Sequence, residues 1–72
     1  MPHVTIKTYP ISEEEKVNLT QEIVKAIIRT TGKPEEFVSI SITDVQESDW
    51  METVYDKEIK PELDNLYKKP GY

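Results

Sequence analysis

The stretch from His3 to Val45 decides the fold. It opens with His3-Val4-Thr5-Ile6-Lys7-Thr8-Tyr9, passes through Ser12-Glu13-Glu14-Glu15 to Gly32-Lys33-Pro34, and closes with Phe37-Val38-Ser39-Ile40-Ser41-Ile42-Thr43-Asp44-Val45. In the first run Val4, Ile6 and Thr8 alternate with His3, Thr5, Lys7 and Tyr9. Period-two alternation rich in β-branched residues predicts a strand over about 3–9, ended by Pro10, which has no N–H for a ladder. Ser12 with Glu15 three residues on is a capping box, and three glutamates suit the positive end of a helix dipole. Val17, Leu19, Ile23, Val24, Ala26, Ile27 and Ile28 then follow at helical spacing, so a helix is predicted over about 13–31, stopped by Gly32 and Pro34. Val38, Ile40 and Ile42 against Ser39, Ser41 and Thr43 predict a second strand over about 38–45.

A strand, a helix of about 20 residues and another strand make a right-handed β-α-β unit with parallel strands. Both strands then start at the same edge, which places Pro2 beside Phe37, Val38 and Ser39. Downstream, Trp50, Val54, Tyr55, Ile59, Leu63, Leu66 and Tyr67 predict a helical tail over about 49–68. Pro61 marks a kink or the first turn of a second helix, and Lys68-Lys69-Pro70-Gly71 its end. The predicted fold class is α/β (α+β), a single domain over 1–72: one β-α-β unit with a C-terminal helical tail.

Size and composition narrow the rest. A chain of 72 residues hides only about 60% of its unfolded surface, and a lone two-stranded sheet is marginal. There is no cysteine to staple it. Stability is therefore expected from oligomerisation, with a second copy pairing edge to edge to give four strands with helices on one face. A single histidine and no cysteine argue against a metal site. A net charge of −5, with nine Lys and Arg and no basic block, disfavours nucleic acid. No apolar run approaches the roughly 20 residues that span a bilayer, and no signal peptide pattern is visible. The expectation is a soluble cytoplasmic protein with no membrane association.

Pro2, directly behind Met1, is the main chemical signal. Removal of Met1 would turn an inert amide into a secondary amine. An α-amino group titrates at roughly 7.7–8.0, and apolar burial or a nearby cation would lower it toward the pH where a general base works best. The same amine is a nucleophile toward carbonyls, and the residues leave base and nucleophile open. Trp50, the only tryptophan, is a candidate apolar wall, although a lone tryptophan in a small domain is commonly core.

Met1-Pro2-His3, the capped helix with Ile27-Ile28-Arg29, the Ile40-Ser41-Ile42 strand, Ser48-Asp49-Trp50 and the tail Lys68-Lys69-Pro70-Gly71-Tyr72 together resemble the tautomerase superfamily, and within it the 4-oxalocrotonate tautomerase-like, PptA-like subgroup. The resemblance covers essentially the whole chain. It implies a cofactor-independent keto–enol tautomerase in which Pro2 moves a proton between an enol oxygen and the carbon α to a carbonyl. The substrate would be a small enol or 2-oxo acid such as an arylpyruvate. It implies a pocket between subunits, with Trp50 lining it and Tyr9, Pro10 and Ile11 of a neighbour closing over Pro2, and a homo-oligomer with dimer favoured over hexamer.

The chain departs from the family where better-known members carry two arginines that hold a dicarboxylate. Pro10-Ile11 stands in one place and Ser39 in the other, and the only arginine, Arg29, lies within the helix. A bidentate carboxylate clamp is thus missing, and Lys33 near the strand-two edge is the candidate point charge in its stead. A neutral or monocarboxylate enol fits better than a dicarboxylate. Two other readings of the same fold are a non-catalytic oligomeric module that binds small molecules or partners, and a hydratase or dehalogenase acting on an unsaturated acid. The latter needs a group to activate water, which nothing around Ser39 and Ser41 clearly supplies.

Overall fold

The computed structural model describes residues 1–72. Strand β1 spans His3–Thr8, helix α1 Glu13–Thr31 and strand β2 Ser39–Asp44. The strands pair in parallel, His3 opposite Ser39 through Thr8 opposite Asp44. The ladder is extended at both ends: the Ser39 N–H donates to the Pro2 carbonyl at 3.1 Å and the Val45 N–H to the Thr8 carbonyl at 2.8 Å.

Local chemistry fixes α1 at both ends. The Ser12 hydroxyl accepts from the Glu15 N–H at 3.1 Å, and the Glu15 carboxylate accepts from the Ser12 N–H at 2.9 Å. Two otherwise orphaned donors are satisfied reciprocally. The Ser12 backbone N–H, and after it the Ser12 side chain, hold the Glu15 carboxyl below its ordinary range. At the far end Gly32 adopts φ 71° and its N–H returns to the Ile28 carbonyl at 3.0 Å. Any residue with a Cβ would be strained there.

Helix α1 covers one face of the sheet. Ile40 and Ile42 line a shallow groove with Lys16, Val17 and Thr20, and the Lys16 ammonium pairs with the Asp44 carboxylate at 3.1 Å. The strands end slightly inside their predicted limits. Tyr9 falls in a bend before Pro10, and Pro34 opens a tight turn in which the Phe37 N–H bonds the Pro34 carbonyl at 3.1 Å. Phe37 thus belongs to that turn, not to β2.

The tail begins with a turn at Glu47–Asp49, continues as a wide helix, α2, over Met51–Ile59, and ends in a tight turn over Lys60–Asn65. In α2 the bonds reach back five residues, as the Lys60 N–H does to the Tyr55 carbonyl. Pro61 stands in the first turn of the closing segment, the position where its missing N–H matters least. Helical structure stops at Asn65, short of the predicted 68, so Lys68 and Lys69 lie beyond it and do not cap a helix dipole.

The tail also corrects the expected layering. Lys7 points away from α1, by alternation with Val4 and Ile6. Yet Lys7 pairs with Glu58 of α2 and Tyr9 packs on Trp50. The tail therefore reaches the side of β1 away from α1, at the end of the strand.

One copy makes very little core. Val54, 5% exposed, is the only buried residue, while Val17, Ile28, Phe37 and Met51 are substantially exposed. Both outer edges of the two-stranded sheet are unpaired, a liability that natural sheets cover. The open sheet fits a fold completed by dimerisation.

Candidate active site

The predicted site residues fall into two groups at opposite ends of β1. Pro2 stands at the head of the ladder, half-buried, its carbonyl held by β2. Beside it, Ser39 shares a 2.6 Å hydrogen bond between its hydroxyl and the His3 imidazole Nδ1. These two side chains face each other because residues 3 and 39 are in register. Lys33 lies in the loop between α1 and β2 at this same end. Its backbone N–H donates to the Thr31 hydroxyl at 3.2 Å, and its ammonium makes no ion pair. Met1, outside the ladder, is 90% exposed.

Trp50 and Ile11 lie at the other end. The Trp50 ring meets Tyr9 edge to face, centroids 5.3 Å apart and planes at 89°. Its indole N–H donates to the Tyr72 hydroxyl at 2.8 Å. Tyr72 also leans on Tyr55, centroids 5.7 Å apart. Lys7, Thr8, Tyr9, Trp50, Met51 and Tyr72 enclose an open cleft of about 500 Å³. Ile11, half-buried, follows β1 just beyond it.

From Pro2 to Tyr9 an extended chain covers about 23 Å. Within one chain, then, Trp50 is not the wall of Pro2, and a shared site needs the two ends to come from different copies. Lys7 and Tyr72 were missed by sequence reasoning. Lys7 read as one more polar residue on an alternating strand, and Tyr72 as the last residue of a terminating signal. Only the fold back of residues 66–72 brings Tyr72 to Trp50. Lys7 is the one cation lining the cleft, and Glu58 neutralises it. No group of three His, Cys, Asp or Glu side chains is placed to hold a metal ion, and no helix is long and apolar enough to cross a membrane.

Most of the chain matches a known family. The family model described as Tautomerase enzyme matches residues 2–59. The chain belongs to the tautomerase family. Its relatives within that family match along their whole length. The Tautomerase PptA of Enterobacter sp. (strain 638) is 45% identical over 74 residues, covering 100% of this chain and 97% of that protein. Proteins of the same name from Klebsiella pneumoniae (strain 342) and Pectobacterium carotovorum subsp. carotovorum (strain PC1) are 40% and 38% identical, with the same coverage. The tautomerase match starts at Pro2 and takes in Ser39 and Trp50, but ends at Ile59, before Tyr72.

Proposed function

We propose that this tautomerase is a cofactor-independent keto–enol isomerase whose proton carrier is the Pro2 amine, freed by removal of Met1. The observation that carries the reading is the setting of Pro2. Its carbonyl is fixed to β2 by a 3.1 Å bond while Met1 projects into solvent. Cleavage before Pro2 would leave a secondary amine on a rigid strand, where catalytic geometry is held best.

The site proposed is shared. When two copies pair through the same edge of β1 across a twofold axis, the strands run antiparallel. The head of one β1 then lies beside the end of the other. Pro2 of one copy meets the cleft formed by Tyr9, Trp50 and Met51 of its neighbour, next to that neighbour's Ile11. These apolar walls desolvate the amine, which disfavours its protonated form and poises it as a base. Ser39 and Lys33 stay with Pro2, and Lys7 arrives with the cleft. The Pro2 nitrogen takes the enol O–H proton as the carbonyl forms, then delivers a proton to the adjacent carbon. The amine is regenerated and the product is the ketone.

An arylpyruvate enol suits this arrangement, since its ring fits an aromatic cleft and its one carboxylate needs no pair of arginines. A homodimer is the smallest assembly that completes both the sheet and the site. The test is ketonisation of phenylenolpyruvate by protein whose intact mass is short by one methionine. Pro2→Ala should abolish catalysis above the buffer rate, and a wild-type rate in that variant would end the proposal.

A further inference from the structure

We infer that Tyr72 is a positioning residue for the substrate's aryl ring, acting through Trp50. This rests on the reading of the aromatic cleft as the substrate site. A tryptophan at a cleft wall has two free side-chain torsions, and its indole N–H needs an acceptor wherever water is displaced. Tyr72 supplies that acceptor at 2.8 Å. Tyr9 meets the indole edge to face from another side at 5.3 Å, and Tyr55 supports the Tyr72 ring at 5.7 Å. Trp50 is thus held by one ring contact from β1 and one hydrogen bond from the tail, and Tyr72 is itself part of the cleft lining.

This has a consequence for selectivity. With the indole N–H already engaged, the Trp50 and Tyr9 rings offer the cleft mainly π surface. That surface suits a flat aryl group and gives little to an aliphatic acid. Tyr72 is 62% exposed, so its substitution is expected to spare the fold and to report on the cleft.

The only tryptophan makes the test direct. Phenylpyruvate and pyruvate are titrated against the processed protein while Trp50 fluorescence is followed, for wild type, Tyr72→Phe and Tyr72→Ala, with far-UV circular dichroism as the check on folding. Tyr72→Phe keeps the ring on Tyr55 and deletes only the acceptor. It should change the emission and weaken phenylpyruvate about three- to tenfold, the value of one hydrogen bond. Tyr72→Ala should weaken it further, and in both variants pyruvate should lose clearly less than phenylpyruvate, since the contact at stake is to the aryl ring. Unchanged emission and unchanged phenylpyruvate affinity in Tyr72→Phe would overturn the inference, as would equal losses for both acids. Binding is read without turnover. A protein that binds phenylpyruvate in this pattern yet ketonises nothing would refute the Pro2 mechanism and leave the Tyr72 assignment standing.

Discussion

If the site is shared between copies, two dead variants should make a living enzyme. Pro2→Ala removes the amine, and Trp50→Ala removes the cleft wall about 23 Å along β1 from it. In an assembly of both variants, a complete site forms wherever a Trp50→Ala chain contributes Pro2 and a Pro2→Ala neighbour contributes Trp50. Each condition is met half the time in a randomised equimolar mixture, so about one quarter of the sites should be intact. The fraction is the same for a dimer or a larger ring, because each site takes one choice from each of two chains. The assay is kcat/KM for phenylenolpyruvate before and after the variants are unfolded together and refolded. Each variant alone should be strongly impaired, and co-refolding should restore about a quarter of wild-type activity per chain. If Pro2 and Trp50 acted within one chain, every site would lack one of them. No recovery from two well-folded, co-assembled variants would refute the shared site.

Other outcomes follow from particular contacts. Ser12→Ala deletes the hydroxyl that accepts from the Glu15 N–H and should cost about 1 kcal/mol in urea unfolding. Glu15 titrates lower in the folded chain than its ordinary 4.5, so its ionised form favours the fold. That contribution is complete above 4.5 and is lost as the pH falls through the lower folded value, so the stability gap between wild type and Glu15→Gln should close in acid. Val54→Ala, at the one buried position, should cost about 2 kcal/mol. Thermal midpoints should rise with protein concentration, because one copy buries too little to be stable alone.

The β-α-β unit was legible because its signals are local. The alternation of Val4, Ile6 and Ile40, Ile42, the Ser12–Glu15 box and Gly32 each act within a few residues, and together they force parallel strands that bring Pro2 to Ser39. The tail was not legible in the same way. Spacing shows that Trp50, Val54 and Ile59 share a face, but not which face of the sheet they cover. That choice is made by Glu58 meeting Lys7 and Trp50 meeting Tyr9, contacts across more than 40 positions. The pairing of Tyr72 with Trp50 depends on an irregular run after Asn65, which no periodicity encodes. The proposed division of the site is hidden for another reason. Pro2 and Trp50 are both conspicuous residues, and only the length of β1 reveals that one chain keeps them apart.

The most direct test compares two proteins that differ only in Met1. Chemically synthesised chains of residues 1–72 and 2–72 share every side chain of the site, but Pro2 is an amide in the first and an amine in the second. Their rates of phenylenolpyruvate ketonisation should differ completely, with the 2–72 form catalytic and the 1–72 form at the buffer rate. Equal rates from the two would contradict the assignment of Pro2 as the proton carrier.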